Sequence, residues 1–113
     1  MKLAIINTKG KVLSRSFLES YSRAEIDYDF ATDLKEFEKK YSGFQNYDGV
    51  LMHPPLGQQK VWLDKIQTLA PNSKIAFASM NLGSTLQKME VAKGVYLLDF
   101  EDVEGIKEYF RIK

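Results

Sequence analysis

Short apolar runs alternate with segments of helical period along the chain, and this alternation restricts the fold more than any other feature. Leu3-Ala4-Ile5-Ile6 is an unbroken apolar run that stops at Asn7-Thr8-Lys9-Gly10, as a buried strand would. Leu13, Phe17 and Tyr21 then recur at four-residue spacing with Leu18 alongside, which predicts a helix from about residue 11 to 22. Glu25-Ile26-Asp27-Tyr28-Asp29-Phe30 alternates strictly, the pattern of a half-covered strand at a sheet edge. Asp33 followed by Glu36 suggests a capping box, with Leu34, Phe37 and Tyr41 on one helical face and Gly43 past its end.

The alternation continues. Gly49 to Met52 reads as the third strand, stopped by His53-Pro54-Pro55 because proline cannot continue a central ladder. Trp62, Ile66 and Leu69 form the stripe of a third helix that Pro71-Asn72 ends, and at this spacing Trp62 is a core residue. Lys74 to Ser79 is a fourth strand. Ser84 with Gln87 predicts a capping box on a short fourth helix carrying Leu86 and Met89 and closed by Gly94. Val95 to Leu98 is a fifth strand, and Val103, Ile106 and Phe110 line a last helix ending near Lys113.

Five β-α units in strict alternation imply a parallel sheet with helices on both faces. Right-handed crossovers make the three-layer, doubly wound flavodoxin-like order 2-1-3-4-5 the expected topology. With 113 residues the chain reads as one domain over residues 1–113, large enough to bury a core without metals or disulfides. No internal repeat or low-complexity stretch interrupts it, and no second domain is expected.

Composition removes several functional classes. The sequence has no cysteine, which excludes disulfides, thiolate metal sites and cysteine nucleophiles. Sixteen basic and fifteen acidic residues leave a net charge of +1, so there is no broad field to attract nucleic acid. The mixed cluster Lys35-Glu36-Phe37-Glu38-Lys39-Lys40 reads as a solvated helix face. The apolar run near the start is too short for a signal core or a membrane span, so a cytoplasmic location is expected.

In such sheets, ligands sit at the carboxyl ends of the strands. Those ends carry Asn7 and Thr8, His53, Ser79 and Asn81, and Asp99. Ser79, His53 and Asp99 are the residue types of a hydrolytic triad, but Phe77-Ala78-Ser79-Met80-Asn81 lacks the G-x-S-x-G elbow. As a metal ligand His53 has no second histidine to help it, and no metal is expected. Asn7-Thr8-Lys9-Gly10 lies where phosphate is held in related folds, yet its single glycine forms no phosphate-binding motif, and no cofactor is expected.

Tyr47-Asp48-Gly49-Val50-Leu51-Met52-His53-Pro54-Pro55 resembles the third strand of a response-regulator receiver domain, the segment that ends in the phosphorylated aspartate in that family. Lys74 to Ser79 resembles the family's fourth strand, and Gly94-Val95-Tyr96-Leu97-Leu98-Asp99-Phe100 its fifth. The decisive residues differ. Asn7 and Thr8 stand at the paired acids, His53 at the phosphoacceptor, and Asp99 and Phe100 at the lysine and proline; Ser79 and Tyr96 alone keep their types. Magnesium needs hard anionic oxygens, so the resemblance implies a pseudo-receiver without phosphoryl chemistry. It further implies a signalling module, not an enzyme, that meets a protein partner or a second copy through the helix 4–strand 5–helix 5 face. On that face the resemblance places Leu86, Met89, Tyr96 and Phe100. The readings left beside it are a binder of nucleotide, flavin or anion at the strand ends and a hydrolase built on Ser79 and His53.

Overall fold

The sheet is organised by β1, Lys2–Asn7, whose four apolar side chains, Leu3 to Ile6, are all removed from solvent. A strand buried on both faces must be central, and β1 is hydrogen-bonded in parallel to β2 (Asp27–Ala31) on one side and β3 (Gly49–His53) on the other. Beyond β3 lie β4 (Lys74–Ser79) and then β6 (Val95–Asp99), both parallel, followed by β5 (Met89–Ala92), which runs antiparallel to β6. The sheet order is therefore β2-β1-β3-β4-β6-β5. Its five parallel strands follow the expected 2-1-3-4-5 order, and the sixth is an addition at one edge. The structure is a computed structural model that describes residues 1–7, 15–41, 43–44, 46–55, 57–79, 89–92 and 94–111.

Four helices appear among the described residues: α1 (Arg15–Arg23), α2 (Leu34–Tyr41), α3 (Gln59–Leu69) and α4 (Val103–Arg111). They form two pairs because the strand pleat sends alternate side chains to opposite faces. Leu3, Ile5, Leu51, Ala76, Ala78 and Leu98 meet Tyr21 of α1 and Ile106, Tyr109 and Phe110 of α4. Ala4, Ile6, Val50, Met52, Ile75 and Phe77 meet Leu34 and Phe37 of α2 and Trp62, Leu63 and Ile66 of α3. Each large apolar side chain so buried contributes about 1.5–3 kcal/mol. The α2 side is tightened by aromatic contacts, with Phe37 stacked on Phe44 at 4.9 Å between centroids and meeting Tyr47 edge-on at 5.4 Å.

Several expectations are corrected here. The short helix expected to carry Leu86 and Met89 is not what precedes Gly94: Met89 lies in β5, and Gly94 follows that strand with φ +75°. The Ser84–Gln87 pair and Leu86 lie outside the described residues, as do Leu13 and the first residues assigned to the first helix. Leu69 does not belong to the buried stripe of α3; it is 41% exposed. At about 100° per residue the buried arc runs from Trp62 through Ile66 and Ala70 to Leu63, and Leu69 falls just outside it. The capping box at α2 is only half made. Asp33 Oδ2 accepts the Lys35 N–H at 3.1 Å, while the Glu36 carboxylate accepts from the Thr32 hydroxyl at 2.9 Å. At α4 the cap is Asp102, whose Oδ1 accepts the Gly105 N–H at 3.0 Å.

Candidate functional site

The carboxyl ends of the parallel strands bring Asn7 and His53 together, since these two residues are paired across β1 and β3. They share a pleat face with Ile5 and Leu51, the face of α1 and α4. Asn7 is buried at 1% exposure, while His53 is half-buried. Pro54, next in the chain, has no N–H with which to continue the ladder. The His53 imidazole turns to β4 instead, and its Nδ1 lies 2.8 Å from the Ala78 carbonyl oxygen. A carbonyl only accepts, so Nδ1 carries the proton and neutral His53 keeps its lone pair on Nε2.

The other expected site residues lie one register step further out. Ser79 is paired with Asp99 across β4 and β6, beyond the pair Ala78 with Leu98. The Asp99 Oδ1 accepts the Glu101 N–H at 2.8 Å, so this carboxylate closes the turn that leads to α4. Thr8 and Asn81 lie outside the described residues. In a hydrolytic triad the carboxylate holds the imidazole Nδ1–H. Here the Ala78 carbonyl holds it, and Asp99 is committed to the backbone.

Tyr21 is the polar core feature that the apolar stripe concealed. Its ring is fully buried, its hydroxyl donates to the Phe100 carbonyl at 2.8 Å, and the phenol is pushed far above its usual range. Burial is the main cause, followed by the nearby charges of Asp99 and Asp102. A tyrosine in an otherwise apolar four-residue repeat was the available signal. Tyr21 thus ties α1 to the turn after β6 and couples the strand-end region to a helix by one buried hydrogen bond.

The expected interaction face is also changed. Phe100 is 1% exposed and belongs to the core, held there with Ile106 and Tyr109. Tyr96 is half-buried and meets the Tyr109 ring edge-on at 5.9 Å. What the fold offers on this side is the β5 edge, where Val91 is 41% exposed.

A concavity opens at the opposite, amino end of the strands. It encloses about 690 Å³ between Tyr47 and Asp48 before β3, the α3–β4 turn and the end of α4. Among the described residues no cluster of three or more potential metal ligands exists, and no helix is long and apolar enough to cross a membrane. No protein-family model, no curated protein and no solved structure matches the chain.

Proposed function

We propose that this protein is a phosphorylation-independent regulatory module, a receiver-like scaffold that acts by binding a protein partner. The observation that carries the reading is the pair Asn7 and His53 at the carboxyl ends of β1 and β3. A receiver-type site requires carboxylates at these two strand ends to hold magnesium and to accept the phosphoryl group. An amide and an imidazole whose Nδ1–H is tied to Ala78 replace them. Magnesium strongly prefers anionic oxygens and gives up its water reluctantly, so this pair does not recruit it. The parallel order 2-1-3-4-5 with paired helices on both faces supports the scaffold half of the reading. The partner-facing surface is then the β5–β6 side, with Val91 exposed on it, in place of the buried Phe100.

The test is an amide NMR spectrum of the full chain with and without magnesium and beryllofluoride, recorded at two protein concentrations. The expected result is no response at Asn7, His53 or Asp99. A stoichiometric beryllofluoride complex at the strand ends would overturn the proposal. Concentration-dependent shifts confined to β5 and β6 would make a second copy the partner, and their absence would direct the search to another protein.

A further inference from the structure

We infer that the cleft at the amino ends of the strands is a binding site for a small zwitterion with an aromatic body, of the α-amino acid type. This inference is independent of the regulatory reading, because the cleft lies at the opposite end of the sheet from Asn7 and His53. Its volume of about 690 Å³ falls within the range of small-ligand sites. Pro71, Tyr47 and Phe110 supply apolar wall, and the two aromatic rings are themselves largely buried and so fixed in place.

The charged groups on the wall are Asp48, Lys74, Arg111 and the Met1 ammonium, and together they select the ligand. Lys74 is already committed: its ammonium donates to the Tyr109 carbonyl at 2.7 Å and lies 4.3 Å from the centre of that ring. Arg111 is exposed and forms no ion pair among the described residues. Asp48 is also exposed, and its carboxylate accepts the Lys2 N–H at 2.8 Å but joins no cation side chain among the described residues. Opposite charges that line one cleft without pairing with each other suit a molecule carrying both charges close together. A carboxylate meets the guanidinium through two parallel hydrogen bonds, an ammonium meets Asp48, and a ring lies on Pro71 and Phe110.

The probe is L-phenylalanine, titrated to about 10 mM into the isotope-labelled full chain, a range that detects a Kd of about 1 mM. Phenylacetate and phenethylamine, which each lack one charge, are the controls. The expected result is saturable shifts at Asp48, Ser73 and Phe110, with both controls about three- to fivefold weaker, as for loss of one exposed ion pair. Arg111→Gln is expected to weaken L-phenylalanine by a similar factor and leave phenethylamine unchanged. Both charges are exposed, so the variant's own spectrum reports whether it is folded. Absence of shifts, equal binding of the three probes, or indifference to Arg111→Gln would each overturn the inference. Shifts that appear at the strand carboxyl ends instead would overturn it too, and would revive ligand binding at the opposite end.

Discussion

Gly49 opens β3 where α4 presses against bare backbone, and a single methyl group there tests the packing of α4 on the sheet. A Cβ at Gly49 would stand 2.2 Å from Phe110 Cδ1 and 2.3 Å from Cε1, with the Lys74 carbonyl at 3.1 Å behind it. The ring cannot yield easily, because Phe110 is 6% exposed and meets Tyr109 edge-on at 5.0 Å. Overpacking of this kind costs about 1–3 kcal/mol. Replacing a strand glycine by alanine returns about 0.5–1 kcal/mol through the unfolded chain. Gly49→Ala is therefore expected to destabilise by about 1–2 kcal/mol, read as a lower urea midpoint at unchanged slope. Phe110→Ala removes both ring atoms in the way, and in that background Gly49→Ala is expected to be neutral or stabilising. The coupling in the double-mutant cycle should thus reach about 2 kcal/mol. A cycle that closes with additive costs would refute the close approach of α4 to β3.

Four further outcomes follow from the same geometry. Long-range nitrogen–proton NMR should find neutral His53 as the Nδ1–H tautomer, and an Nε2–H signal would remove the bond to Ala78. The Tyr21, Tyr47 and Tyr109 phenols are all raised above 10.0, chiefly by burial, so the folded chain keeps protons that the unfolded chain releases. Their contribution to stability is full below about pH 10 and declines above it, by up to about 1.4 kcal/mol per pH unit for each group; urea midpoints measured across that range should fall less steeply in Tyr21→Phe than in the parent. Lys74→Met removes the bond to the Tyr109 carbonyl and the contact with its ring, at an expected cost of about 1–2 kcal/mol; an unchanged midpoint would show both to be energetically idle. Gly94→Ala is expected to cost about 1–2 kcal/mol although a Cβ there meets nothing within 4 Å, because φ of +75° is strained for an L side chain, and a neutral result would contradict the turn geometry.

Much of the sheet was legible because burial on both faces leaves an unmistakable mark. Leu3 to Ile6, Val50 to Met52 and Ile75 to Ala78 are unbroken apolar runs in the sequence and three adjacent central strands in the structure. The alternation at Glu25 to Phe30 marked an edge, and β2 is one. The segment that became β5 carried no such mark. Met89-Glu90-Val91-Ala92 is four residues long, too short for a period of 2.0 to separate from one of 3.6. Gly94 added to the ambiguity, since a left-handed glycine closes a helix and turns a hairpin equally well. Tyr109 supplies the missing information only through tertiary contact. Its hydroxyl lies 2.7 Å from the Ile75 carbonyl and 3.1 Å from that of Gly94, which joins α4, β4 and the β5–β6 turn at one point.

The candidate site was less legible, and the reason lies in sheet register. The sequence indicates which residue ends each strand, but not which of those ends stand level. Asn7 and His53 are level, and His53 reaches across to Ala78. Ser79 and Asp99 are level with each other one step further on. A step of one residue reverses the pleat, so four strand-end residues that look like one constellation divide into two pairs. His53 then finds a backbone carbonyl where a triad would place a carboxylate, and Asp99 finds the backbone of its own turn. The residue types are those of a triad, but the register separates the two pairs, and hydrogen bonds tie His53 and Asp99 to backbone groups at the strand ends.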